Sequence, residues 1–188
     1  MSASRKLLVG YLKFLVALGV LAAVGGTAFL YSGIYHIGAD DHHTPPVYWA
    51  LETLRESSIA LRAKHIEVPP LDDPQQLLSG GADYNDMCAG CHLKPGKSKS
   101  DLSVGLYPEP PNLAVAAQKT GREALSPEER DRAAARHFWI IKHGIKASGM
   151  PAWGITHDDQ RIWAMVAFIQ RLPTLTPEQY QILTARDP

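Results

Sequence analysis

The sequence predicts an all-α protein, because helix-start signals recur along the chain and no strong strand pattern accompanies them. Two of these signals are capping boxes, in which a Ser or Thr caps a helix three residues before a Glu or Gln. They pair Ser126 with Glu129 and Thr176 with Gln179. Apolar residues at steps of three and four mark further helical segments.

The first element is an apolar run without a charged side chain, residues 14–35. At about 1.5 Å per helical residue, this run is long enough to cross a hydrocarbon core of about 30 Å. Basic residues precede it and acidic residues follow it: Arg5, Lys6, Lys13, Asp40 and Asp41. The positive-inside rule therefore places the N-terminus in the cytoplasm and the rest of the chain outside.

A cleaved signal peptide is the alternative for this run, since residues 26–28 are small and resemble a cleavage site. The run exceeds the usual apolar core of a signal peptide, which favours an uncleaved signal anchor.

A second helix is predicted over residues 46–64, where Thr44 and two prolines provide a helix start. Its apolar positions recur at helical spacing and its charged positions lie elsewhere, so the helix is amphipathic. The sequence leaves three roles open for this helix: it could pack against the following domain, lie on the membrane or dock a partner. The proline-rich stretch 68–74 then predicts a linker.

Four more helices follow the linker. The first covers residues 75–87, and the second begins at the Ser126 capping box and ends before Gly144. The third begins near His157 or Asp158 and ends at Pro173, and a short terminal helix runs from the Thr176 capping box to residue 184. The interval 93–118 is predicted to be loop by composition.

The run Cys88-Ala-Gly-Cys91-His92 is the attachment signature of a covalent c-type haem. Two thiols at this spacing can bond the two vinyl groups of one porphyrin, and the next residue supplies an imidazole to the iron. Export of the chain agrees with this prediction, because bacterial haem c is attached outside the cytoplasmic membrane.

Other interpretations of the two cysteines fit less well. A structural zinc site usually has four thiol or imidazole ligands in two spaced pairs, and the chain contains 2 cysteines. A thioredoxin-like dithiol belongs to an alternation of strands and helices that these flanks do not show. A disulfide closing so short a loop would remove little unfolded-chain entropy.

The second axial ligand of the iron is predicted to be Met150, which lies in a Gly- and Pro-bounded turn between two helices. Met87 adjoins the attachment motif, and Met165 falls on the apolar face of the last long helix, where a methionine fills the core. His143 is a rival ligand, although its place at a helix end suits a C-terminal cation. The pair His42 and His43 is a weaker candidate for a separate metal.

Residues 74–173 resemble a class I cytochrome c. The family's glycine and aromatic residue before the first cysteine are matched by Gly80 and Tyr84, and its Pro-Asn-Leu motif by residues 111–113. Its ligand loop is matched by residues 149–153, and the aromatic residues of its last helix by Trp163 and Phe168.

The resemblance implies a fold in which the first and last helices cross, with Gly80 allowing close approach near Phe168. It also implies that the Pro111 carbonyl accepts a hydrogen bond from the ring of His92, which would fix the ring and raise its basicity. The residues implied in the haem pocket and around it are Tyr84, Pro111, Asn112, Leu113, Ile145, Pro151 and Trp153.

Ligation by His92 and Met150 would saturate the iron and favour electron transfer over catalysis. The chain is therefore expected to be a membrane-anchored electron carrier with one haem c, not an enzyme. Its predicted divisions are an anchor (1–36), an exported spacer with the amphipathic helix (37–73), the cytochrome domain (74–175) and a terminal helix and tail (176–188).

The expected location is the periplasmic side of a bacterial cytoplasmic membrane, with a single membrane pass. Expected partners are that membrane, a quinol-linked donor and a terminal oxidase or reductase. The net charge of +0 argues against nucleic acid. Two alternatives stay open: a haem-bearing subunit of a larger respiratory oxidoreductase, or a ligand-binding sensor or peroxidase in which Met150 dissociates.

Overall fold

A computed structural model describes residues 3–115 and 126–185, and within these ranges the chain is helical with no strand. This confirms the predicted all-α class. The helices are α1 (Ala3–Ser32), α2 (Pro45–Ala63), α3 (Pro74–Met87), α4 (Ala89–His92), α5 (Asp101–Gly105), α6 (Pro127–His143), α7 (Asp159–Arg171) and α8 (Pro177–Thr184). The chain divides into two compact units, residues 1–41 and 42–188.

The first unit consists mainly of α1, whose described side chains are exposed along the whole helix. Its segment Ser4–Ser32 has a mean hydropathy of 2.3 and, among the described helices, is the one long and apolar enough to cross a membrane. Gly33, with a φ of 67°, follows the last helical residue, so the helix ends before the predicted limit at Tyr35. An apolar helix that nothing in its own unit covers fits a membrane anchor.

The second unit is built on the crossing of α3 and α7, the most extensive contact among the described helices. Gly80 lies directly against the backbone of Ala164, and Gly81 lies against the ring of Phe168 and the carbonyl of Leu183. The close approach implied by the family resemblance is therefore present. The nearest atoms to Gly80 belong to Ala164 and Met165, one helical turn before Phe168, and the neighbouring Gly81 contacts the Phe168 ring itself.

Replacing Gly80 by alanine is expected to destabilise the protein by about 3 kcal/mol or more, because the new methyl group would overlap the Ala164 carbonyl and no flexible side chain can move away. Chemical unfolding of the purified holoprotein measures the loss. Gly105→Ala is the matched control, since nothing lies within 4 Å of that position. Equal unfolding midpoints for the two variants would contradict the predicted packing.

An ion pair also joins α3 and α7 where they cross. Arg161 on α7 reaches Asp83 on α3, with its Nη2 2.8 Å from Oδ1. The Asp83 side chain is 7% exposed and that of Arg161 44%, so the buried member is the carboxylate. This pair raises the pKa of Arg161, because its hydrogen bond to Asp83 stabilises the charged guanidinium.

The amphipathic helix α2 packs against α6 of the second unit. Ile59 is 2% exposed and Ala63 is 6% exposed, while Glu56 forms an ion pair with Arg136 of α6 at 2.7 Å. Of the possibilities that the sequence left open, packing against the following domain is the one observed.

The predicted loop over 93–118 is wrong in one place. Residues 101–105 form the short helix α5, where the Ser100 hydroxyl accepts from the Ser103 N–H and the Ser103 hydroxyl accepts from the Ser100 N–H. Five residues are too few to show helical periodicity, so only this reciprocal cap could have indicated the helix. Residues 116–118 lie outside the described part of the chain.

Candidate functional site

A single turn of helix arranges the two cysteines and the adjacent histidine. The Cys88 N–H donates to the Tyr84 carbonyl at 2.9 Å and ends α3, and the His92 N–H donates to the Cys88 carbonyl at 2.8 Å within the next turn. Both cysteines are free thiols, with Cys88 buried and Cys91 partly exposed.

The Cys88 thiol is not activated as a redox nucleophile. Burial raises its pKa to about 12, and the charges of Asp83 and Cys91 act in the same direction. Redox-active dithiols need a lowered thiol pKa, which neighbouring cations or a helix N-terminus usually provide. The environment therefore disfavours the thioredoxin-like alternative.

The ring of His92 is held in one orientation. Its Nδ1 lies 2.9 Å from the carbonyl oxygen of Pro111, as the family resemblance implied. A carbonyl can only accept, so Nδ1 carries the proton and the lone pair of Nε2 is left for a metal. Burial lowers the pKa of His92 against the opposing effect of the Pro111 bond, which favours the neutral imidazole that metal ligation requires.

Three residues hold the backbone that carries His92 and Pro111. The hydroxyl of Tyr84, whose side chain is fully buried, donates to the Leu93 carbonyl at 2.7 Å. The Leu113 N–H donates to the His92 carbonyl at 3.1 Å. The Asn112 side chain donates to the Lys97 carbonyl at 3.3 Å and accepts from the Ala114 N–H at 3.0 Å.

Met150 is held by a compact turn after α6. The Ile145 N–H donates to the Met150 carbonyl at 3.1 Å, and the Met150 N–H donates to the Ser148 hydroxyl at 3.1 Å. Gly144 begins this turn with a φ of 64°, and a side chain there would meet the backbone of residues 150–152 at about 2.8 Å. A glycine is therefore required where the chain turns back toward Met150.

These segments enclose one cavity of about 350 Å³, which we call the central cavity. Of the site residues predicted from the sequence, those that line it are Cys88, Cys91, His92, Pro111, Ile145, Met150, Pro151 and Trp153. Tyr84, Asn112 and Leu113 do not line it. They support the backbone of the cavity wall instead.

The sequence missed part of the cavity wall. Helix α2 contributes Tyr48, Arg55 and Glu56, and α6 contributes Arg136 and Ile140. The spacing of Arg136 and Ile140 could have placed them on one face of α6. The three residues of α2 could not be found from the sequence, since nothing in it shows on which domain α2 packs.

The lining of the central cavity fits a covalent haem c. Two thiols lie beside a neutral imidazole with a free Nε2, a thioether is available from another segment, and most of the remaining wall is apolar or proline-rich. Thiols for the vinyl groups, imidazole and thioether for the iron, and an apolar wall for the porphyrin are what this group requires.

The fold and this set of side chains define a c-type cytochrome. The family described as cytochrome c oxidase, cbb3-type, subunit III matches residues 75–169, which is just over half of the chain, and the chain belongs to this family. It is accordingly a haem-binding electron-transfer protein with covalently bound haem c, and α1 is its candidate membrane anchor. No curated protein and no solved structure matches it.

The rival histidines lie elsewhere. His143 and His43 line a second cavity of about 730 Å³ between α2, α6 and residues 144–148, which we call the lateral cavity. His42 stacks on Tyr107 with ring centroids 4.5 Å apart. The described residues contain no group of three or more His, Cys, Asp or Glu side chains placed to hold a metal ion.

His137 on α6 is unusual in a way that no sequence pattern indicates. Its Nδ1 is buried and has no hydrogen-bond partner among the described residues. Burial lowers its pKa to about 4, and the positive charge of Arg136 adds to the effect.

The pKa of His137 predicts a loss of stability in mild acid. Between the unfolded pKa of about 6.5 and the folded pKa of about 4, the unfolded state binds more protons, so stability falls as pH decreases through this window. At pH 4 the free energy of unfolding is expected to be about 3 kcal/mol lower than at neutral pH. Denaturant midpoints of the holoprotein at pH 7 and pH 4.5 measure it.

His137→Leu should flatten that pH dependence, whereas His65→Gln, at an exposed histidine, should leave it unchanged. If the His137 variant kept the same difference between pH 7 and pH 4.5 as the unmodified protein, the predicted role of this imidazole would be wrong.

Proposed function

We propose that this protein is a membrane-anchored electron carrier whose single haem c is bonded to Cys88 and Cys91, with His92 and Met150 as the iron ligands. The observation that carries the proposal is that these four side chains, from two distant parts of the chain, line the same central cavity. The bound haem supplies a one-electron couple at its iron.

The chain's own residues favour electron transfer over ligand chemistry. Pro111 holds the ring of His92, and the hydrogen-bonded turn at residues 145–150 holds the backbone of Met150, so both side chains are kept at the wall of the central cavity. Ile145, Pro151 and Trp153 form an apolar wall that limits water. A sensor or peroxidase would need an open position at the iron, which ligation by Met150 would fill.

The haem unit is placed on the outer face of the cytoplasmic membrane in this proposal. Support comes from the exposed apolar helix α1 and from the basic residues before it and acidic residues after it. C-terminal fusions to alkaline phosphatase and to a cytoplasmic fluorescent reporter test the orientation. An active phosphatase with a dark reporter is expected, and the reverse would refute the assigned side.

The ligand set is tested by spectroscopy of the full chain, expressed with the machinery for haem c attachment and purified in detergent. A low-spin spectrum in both oxidation states, a methionine–iron charge-transfer band in the oxidised form and no carbon monoxide binding by the reduced form are expected. Rapid carbon monoxide binding at neutral pH would instead favour a sensor or peroxidase.

A second candidate function is a haem-bearing subunit of a larger respiratory oxidoreductase. The family match favours it, because the family is described as subunit III of a cytochrome c oxidase. Gentle detergent extraction from native membranes separates the two functions. Migration as a lone species of 20.6 kDa plus haem would exclude the subunit, and co-migration with other redox subunits would support it.

A further inference from the structure

Within the described part of the chain, the central cavity is lined by two cationic side chains, Arg55 of α2 and Arg136 of α6. Haem c carries two propionate carboxylates. A carboxylate in a mostly apolar cavity is strongly disfavoured unless a cation and hydrogen-bond donors meet it.

The two guanidinium groups are already arranged around a carboxylate. Glu56 bridges them, with its Oε1 3.0 Å from Arg55 Nε and its Oε2 2.7 Å from Arg136 Nη2. Arg55 makes a further contact to Glu52 at 3.4 Å. The cluster thus spans α2 and α6 and fixes both cations at the wall of the central cavity.

Donors remain on both arginines after these contacts. A guanidinium has five N–H donors in a planar fork that suits carboxylates. Arg55 uses its Nε and Nη2 atoms and Arg136 uses its Nη2 atom in the contacts above, which leaves at least Nη1 of Arg55 and Nε and Nη1 of Arg136 for a further carboxylate. The Arg55 side chain is only 26% exposed, so a charge next to it is only partly screened by water.

We propose that Arg55 of α2, together with Arg136 of α6, binds the haem propionates, so that α2 is part of the haem site. This inference rests on the proposed function, because it requires haem in the central cavity. Helix α2 lies outside the family match at residues 75–169, so the Arg55 contact is a feature of this chain beyond the matched domain. The reduction potential of the haem then depends on a helix that precedes the cytochrome domain.

Potentiometric titration of the full-length holoprotein in detergent tests the proposal. Arg55→Gln removes a cation beside a propionate and stabilises the oxidised haem. The ratio of reduced to oxidised protein at a fixed potential should fall about tenfold, which is about 59 mV for one electron. Arg55→Lys keeps the charge and should restore most of the ratio. Arg62→Gln is the matched control, since Arg62 lies on the same helix but lines the lateral cavity alone.

Glu56→Gln distinguishes this electrostatic role from a merely structural one. It breaks the ion pair between α2 and α6, as a structural defect would, but it frees both arginines from their carboxylate. The potential should therefore rise, opposite to Arg55→Gln. A fall in both variants would mean that only the packing of α2 matters, and would overturn the proposal.

Resonance Raman bands of the propionate bending modes give a second readout. These bands should shift in Arg55→Gln and stay in place in Arg62→Gln. If both the bands and the reduction potential of Arg55→Gln were unchanged, the proposal would be overturned. If Arg55→Gln does not accumulate, a potential at or below the unmodified value in Glu56→Gln overturns it. A wild-type protein without covalent low-spin haem would refute the proposed function itself, before any variant is compared.

Discussion

Met150→Ala is expected to lower the reduction potential and to let the reduced protein bind carbon monoxide. A thioether ligand raises the potential of a haem, and axial ligands as a group set haem potentials over a range of about 0.8 V. A fall on the order of 0.1 V or more is therefore expected. Loss of the thioether also leaves one axial position of the iron open. The turn at residues 145–150 contains no other soft donor that could fill this position.

Potentiometric titration and carbon monoxide difference spectra of the purified full chain measure the two effects. Met87→Leu is the matched control, because Met87 lines the same central cavity but adjoins Cys88 at the attachment side. It should keep the low-spin spectrum and stay inert to carbon monoxide. If Met87→Leu lost the methionine–iron band and Met150→Ala retained it, the ligand assignment would be reversed.

The elements that local chemistry specifies were predictable from the sequence. Ser126 and Thr176 begin α6 and α8 as their capping boxes predicted, because a cap depends on neighbours within one helical turn. Gly144 ends α6 as predicted, because the backbone there requires a positive φ. The attachment motif is equally local, since its thiols and imidazole lie within five residues.

The parts that depend on tertiary packing were not predictable. Arg55 and Glu56 are charged, so amphipathic patterning assigns them to solvent, yet they line the central cavity because α2 lies on α6. The same limit applies to the details of the contact at Gly80 and Gly81. A glycine in a helix signals a close approach, but which backbone approaches it depends on the crossing of α3 and α7.

Two methionines with different roles, Met165 and Met150, also show what the sequence can and cannot predict. The apolar helical face of α7 predicts Met165 in the core, and its side chain is fully buried there. The turn around Met150 predicts an iron ligand, and the structure brings Met150 to the same cavity as His92. Periodicity can place a side chain in a core, but only the three-dimensional cavity brings residues 88–92 and 150 together.

Replacing both Cys88 and Cys91 by alanine is expected to abolish covalent haem attachment, and each single replacement to weaken it. Without thioether bonds the haem would be held by its axial ligands and packing alone. A haem stain of the denatured protein after electrophoresis measures attachment directly, since only covalently bound haem survives denaturation. A stained band of normal intensity in the double variant would contradict the assignment of these thiols.

Molecules of the same double variant that have lost their haem should also be much less stable than the holoprotein. A cavity of about 350 Å³ would then lose the large apolar group that fills it, and the contacts of that group would no longer offset the entropy of ordering the surrounding segments. The α3 and α7 crossing would remain, but the turn at Met150 and helix α2 would lose the group they enclose. Proteolysis in membranes should therefore remove the double variant faster than Met150→Ala, which keeps its covalent haem, and equal lifetimes would show that haem does not support the fold.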